Sequence, residues 1–97
     1  MMNNTITLKK LEQYFSITKE ALDKVKNALD EKRLKEANDF LDMAQRYYDD
    51  AHYFWKTKHD FVLAFAALNY AHGWLDSGAR IGLFKVKDSR LFTVDDE

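Results

Sequence analysis

The sequence predicts an all-α fold, an antiparallel up-down-up three-helix bundle with an extended C-terminal tail. Three observations predict it. Two successive apolar seams recur with alternating steps of three and four residues, the a/d rhythm of helices that pack along one stripe. A third stretch, from Ala64 to Phe84, is apolar on almost every side and is interrupted only by Asn69, His72, Asp76 and Arg80. The chain holds no proline, so nothing breaks a helix from within.

The first helix is predicted over about residues 6–31. Thr5 or Thr7 can cap it, and Leu8, Leu11, Phe15, Thr18, Leu22, Val25 and Leu29 form its seam. Tyr14, Ile17, Ala21 and Ala28 widen the apolar face on one side. Asp30-Glu31-Lys32-Arg33 is a short turn, and short connections make antiparallel neighbours. The second helix, about 33–58, repeats the arithmetic through Leu34, Ala37, Leu41, Ala44, Tyr48, Ala51 and Trp55. Phe40, Met43, Tyr47 and Phe54 make a second apolar line beside that seam. His59 turns the corner, and Asp60 is a good N-cap for the third helix, about 60–82.

On the third helix Ala64, Ala67, Ala71, Gly78 and Gly82 lie to one side, with Trp74 and Leu75 between them. Small residues at this spacing let another helix come close, and the Gly78-x-x-x-Gly82 pair is the steric device known from membrane helices. Gly82 is also a natural helix stop. Residues 83–97 show two short apolar pieces around a polar turn, which is too little for a sheet. They read as a tail folded back on the bundle, frayed at Asp95-Asp96-Glu97.

At 97 residues the chain reads as one domain with one modest core. It has no cysteine, which removes disulfides and thiolate metal sites. A net charge of −1 supplies no strong field for nucleic acid or an anionic membrane. The first residues carry neither a basic region nor a long apolar run, so no leader peptide is expected. Residues 60–84 are long enough to span a bilayer, but four polar groups at its centre are too costly. A soluble cytoplasmic protein is the expectation.

The polar stripe Asn69, His72, Asp76 and Arg80 is the sharpest candidate site. With the second turn centred near His59, Arg46 and Asp49 stand at the height of His72 and Asn69. A groove between the second and third helices, lined by Arg46, Asp49, Asn69, His72, Asp76 and Arg80, is therefore one reading. The other is a solvated face of exposed ion pairs, which is what charge ladders on helices usually are. Arg46 and His52 resemble the Arg-x(4–6)-His motif of the helical HEPN ribonucleases, but on one helix they point about 120° apart. Asp49 with His52, or His72 with Asp76, supplies two ligands where a catalytic zinc wants three, so no metal and no cofactor are expected.

Tyr70-Ala71-His72-Gly73-Trp74-Leu75-Asp76-Ser77-Gly78-Ala79-Arg80-Ile81-Gly82-Leu83-Phe84 resembles the signature of a small archaeal family, domain of unknown function 357. Arg46-Tyr47-Tyr48-Asp49-Asp50-Ala51-His52-Tyr53-Phe54 and Asp60-Phe61-Val62-Leu63-Ala64-Phe65 are similar to its earlier segments, and the likeness covers roughly residues 8–94. His59 departs from it, at a turn where glycine is expected. The resemblance implies a three-helix bundle from an archaeal cytoplasm and no assigned activity. The residues point to a non-enzymatic interaction or scaffolding module. The alternative is a nuclease-like or small-ligand-binding protein using the polar groove. A protein partner or a homodimer is expected through helix faces, with Tyr53, Val62 and Phe65 as a contact patch unless Phe92 and Val94 of the tail cover it. An acidic second-helix face argues against nucleic acid.

Overall fold

The structure, a computed structural model, describes residues 4–94, so the end expected to fray lies outside the described residues. Three helices carry the fold: α1 (Leu8–Lys26), α2 (Leu34–Lys56) and α3 (Phe61–Arg80). They pack into an elongated body of 44 × 27 × 17 Å.

The helix starts follow the expected chemistry. The Thr7 hydroxyl accepts the Lys10 N–H at 3.1 Å and opens α1. The Asp60 carboxylate accepts the Leu63 N–H at 3.0 Å and opens α3. Each satisfies one of the amide groups that a helix start leaves without an intrahelical partner.

The first helix is shorter than its seam. It stops at Lys26 rather than near Glu31, and Leu29 leaves the helix to form an antiparallel bridge with Phe84. The Asp30 N–H donates to the Leu83 carbonyl at 2.8 Å, and the Lys85 N–H donates to the Ala28 carbonyl at 2.7 Å. These tail bonds replace the helical ones that the Asp30 N–H and the Ala28 carbonyl would have made. Asp30 then opens a single 3-10 turn (Glu31–Arg33), where its carboxylate accepts the Lys32 N–H and the Arg33 side chain, each at 3.0 Å. These two bonds, the backbone one first, hold the Asp30 carboxyl below its ordinary value.

Helices α2 and α3 make the closest pairing. Ala37, Ala44 and Ala51 recur every seven residues on α2, and Ala64, Ala71 and Gly78 do so on α3. All six are buried. The register of the hairpin sets Ala51 level with Ala64, Ala44 with Ala71 and Ala37 with Gly78, so small residues face small residues. The Tyr47–Tyr70 and Phe40–Trp74 ring contacts fix the same register. Leu11, Phe15, Thr18, Leu22 and Val25 of α1 close the core with Leu68, Leu75 and Tyr48. The tail adds Leu83, Phe84, Leu91 and Phe92, all buried.

Gly78 makes room for the tail as well as for α2. A Cβ there would sit 2.2 Å from a ring carbon of Phe84, so the notch it leaves is filled by the tail. Gly82 ends the helix: at φ 78° it is the left-handed residue of a Schellman motif. The Leu83 N–H reaches back to the Gly78 carbonyl at 2.8 Å, and the Gly82 N–H to the Ala79 carbonyl at 3.2 Å. Arg33 donates to the Ile81 carbonyl at 2.9 Å and fastens this end to the first turn.

Candidate functional site

The polar stripe of α3 faces α1 and the tail. His72 stands between them. Its Nε2 lies 2.6 Å from the Leu91 carbonyl oxygen and its Nδ1 lies 3.0 Å from the Thr18 hydroxyl. A carbonyl only accepts, so Nε2–H is the donor. In the neutral ring Nδ1 is then the acceptor for the Thr18 O–H. Thr18 is the buried polar residue of the core, and His72 is what satisfies it. One turn on, the Asp76 carboxylate accepts the Thr93 N–H at 2.9 Å. Two residues four apart on a helix thus hold two backbone groups two apart in the tail, where it turns back through bonds from the Leu91 and Phe92 N–H groups to the Asp88 carbonyl.

Outside this clasp, α1 supplies an ionic one. Arg90 pairs with Glu20, and Lys24 with Asp88 at 3.0 Å. The Arg90 guanidinium holds the Glu20 carboxyl below its ordinary value, and the Lys24 ammonium does the same for Asp88.

Asn69, His72 and Asp76 share a cleft of about 220 Å³ with Tyr14, Ile17, Thr18 and Gly73. Arg80 lies in the neighbouring cleft with Asp76, Ser77, Ile81 and Thr93. Neither cleft contains Arg46 or Asp49. Arg46 is exposed and pairs with Asp42 at 2.8 Å, while Asp49 accepts from Gln45 at 3.0 Å. The expected groove between α2 and α3 therefore does not assemble as one polar concavity. Arg46 and Asp49 have the right height along α2 but point away, and the α3 stripe turns towards α1.

His52 is taken up differently again. It lies against Phe15, Tyr48 and Trp55, with Nε2 3.3 Å from the Tyr48 hydroxyl. Burial, and next the Lys56 charge, push its imidazole below the ordinary value. Among the described residues no three His, Cys, Asp or Glu side chains group as metal ligands. Phe65 packs edge-on against Tyr14 at 5.0 Å, so α1 rather than the tail covers it, and Val62 stays 67% exposed.

An apolar face lies between α2 and α3, on the side away from α1. Part of it, an open cleft of about 360 Å³, is lined by Phe40, Tyr70, Gly73, Trp74 and Ser77. Phe40 meets Trp74 edge-on at 5.0 Å, and Tyr47 meets Tyr70 at 4.4 Å. Tyr70 is 54% exposed, Ile81 53% and Leu63 47%. The α2 half of this face is the second apolar line read from the sequence. The α3 half continues the same step pattern through Leu63, Ala67, Tyr70, Trp74, Ser77 and Ile81. That repeat was the signal available for it.

The family described as protein of unknown function (DUF357) matches residues 13–84, about three quarters of the chain. No curated protein and no solved structure matches. No described helix is long and apolar enough to cross a membrane.

Proposed function

The chain belongs to the DUF357 family, and on that premise we propose that it is a non-enzymatic cytoplasmic interaction module that binds another protein through the outer face of α2 and α3. One observation carries this reading. Each of these helices has two a/d lines, and only the inner one is covered. On the outer lines Glu36, Phe40, Met43, Tyr47, Asp50 and Phe54 run beside Leu63, Ala67, Tyr70, Trp74, Ser77 and Ile81; none of the twelve is buried, and Phe40, Met43, Tyr47, Phe54, Ala67 and Trp74 are half-buried. An apolar face of this continuity is a recognition surface more often than bare protein surface. The polar groups that a catalytic reading needs are engaged elsewhere: His72 and Asp76 hold the tail, and His52 lies in an aromatic cluster.

A photo-crosslinking amino acid at Tyr70, in cells that make the protein, tests this reading. A second one at exposed Lys9 of α1 is the control. A protein adduct is expected from position 70 and not from position 9, and Ala67→Glu should abolish it. An adduct pattern indifferent to position, or none from position 70, overturns the reading.

A further inference from the structure

We infer that the partner element is a single amphipathic helix, seated between the two outer lines, with a cationic side chain near each end, about two heptads apart. The inference rests on the interaction reading above and specifies its occupant.

The spacing of the two lines argues for a helix. Glu36, Phe40, Met43, Tyr47, Asp50 and Phe54 follow steps of four and three, and so do Leu63, Ala67, Tyr70, Trp74, Ser77 and Ile81. Two antiparallel helices that each present an a/d line outward form the row of holes that a third helix fills with its own knobs. An added strand would instead need free backbone donors and acceptors, which α-helices do not offer. The Gly73 position agrees with a close neighbour. A Cβ there would meet nothing within 4 Å, so nothing among the described residues requires a glycine in mid-helix, where it lowers stability relative to alanine.

The charge pattern sets the chemistry. Within the twelve positions the only charged residues are Glu36 and Asp50, both exposed and both on α2. Neither has an ion-pair partner among the described residues. They are fourteen residues apart, about 21 Å along a helix at 1.5 Å per residue. A lysine or arginine at each end of a partner helix of a little over four turns meets both. A second copy of this chain, offering the same face, brings an uncharged α3 line or another acidic α2 line, and neither supplies those cations.

Two designed 21-residue helices test this, with identical leucine and isoleucine a/d positions and either lysine or glutamate at two sites fourteen apart. Calorimetric titration of the folded chain is expected to show the lysine peptide binding about tenfold more tightly, the scale of two exposed ion pairs exchanged for two repulsions. The double variant Glu36→Lys, Asp50→Lys should invert the preference, whereas Glu12→Lys on α1 should not. Equal binding of the two peptides, a preference that Glu36→Lys and Asp50→Lys leave unchanged, or a concentration-dependent dimer lost on Ala67→Glu each overturns the inference while the interaction reading stands. Failure of both peptides to bind overturns the inference, and absence of the Tyr70 adduct as well removes the reading beneath it.

Discussion

At His59 the chain adopts φ 53°, a left-handed conformation that a Cβ makes unfavourable. It does so because α2 must end and α3 must begin within four residues: the Lys58 N–H returns to Tyr53 and the Asp60 N–H to Phe54. Histidine tolerates this region better than most side chains, but glycine tolerates it best. The side chain is exposed and makes no hydrogen bond or ion pair among the described residues. His59→Gly is therefore expected to raise stability by about 0.5–1 kcal/mol, the relieved strain less the added freedom of the unfolded chain. A denaturant melt with a lower midpoint would show that His59 contributes a contact. Gly78 is the opposite case. Its Cβ would lie 2.2 Å from the Phe84 ring, so Gly78→Ala should cost about 1–3 kcal/mol by overpacking. Phe84→Leu in the same chain should return part of that loss, and strict additivity of the two changes would place the strain elsewhere.

Among the elements, the tail is held by the most varied set of contacts: a filled notch at Gly78, backbone bonds to residues 28 and 30, the His72 and Asp76 bonds, and ion pairs to Glu20 and Lys24. Glu20 and Asp88 sit below their ordinary values of 4.5 and 3.8, so the folded state binds their protons less readily than the unfolded chain does. The contribution of these pairs is complete above about 4.5 and fades as pH falls past 3.8 through the depressed values. The protection of the Thr93 amide, its exchange rate relative to an unstructured amide at the same pH, should fall over that range before α2 and α3 unfold, and the Glu20→Gln variant should already show part of the effect at neutral pH. Protection insensitive to both changes would place tail retention in its apolar residues alone. The sequence disclosed the elements well, because Leu11, Phe15, Leu22, Ala44, Ala51, Leu68 and Leu75 obey one periodicity set by helix geometry. It did not disclose the end of α1, since Leu29 continues the apolar rhythm while its backbone pairs with Phe84, a contact 55 residues away. The stripe from Asn69 to Arg80 was equally legible as a line. Which neighbour it faces was not, because residue numbers fix height along a hairpin but not rotation about the helix axis. Arg46 therefore shared a level with His72 without sharing a cleft.

For the whole molecule the question is how much of the fold depends on residues after α3. A domain of this length is stable by roughly 5–15 kcal/mol. Burying one large apolar side chain contributes about 1.5–3 kcal/mol. The tail buries four, Leu83, Phe84, Leu91 and Phe92, each 3% exposed or less. Their sum is comparable with the entire stability, so the tail is part of the core and not an appendage. The family match ends at Phe84, the residue that fills the Gly78 notch, and leaves Leu91 and Phe92 beyond it. A chain ending at Lys87 keeps the notch filled and loses two of the four side chains, so it should fold with stability lowered by about 3–6 kcal/mol. Ending the chain at Gly82 removes all four and empties the notch. That version should show no cooperative transition in a circular-dichroism melt. Ser77 and Ile81 of the α2–α3 outer face border the cleft of the clasp, but Phe40, Tyr70 and Trp74 do not, so the Lys87 truncation should retain peptide binding in proportion to its folded fraction. If the Gly82 truncation melted like the parent chain, the helices would be sufficient alone, and the clasp of His72 and Asp76 would need a purpose other than completing the core.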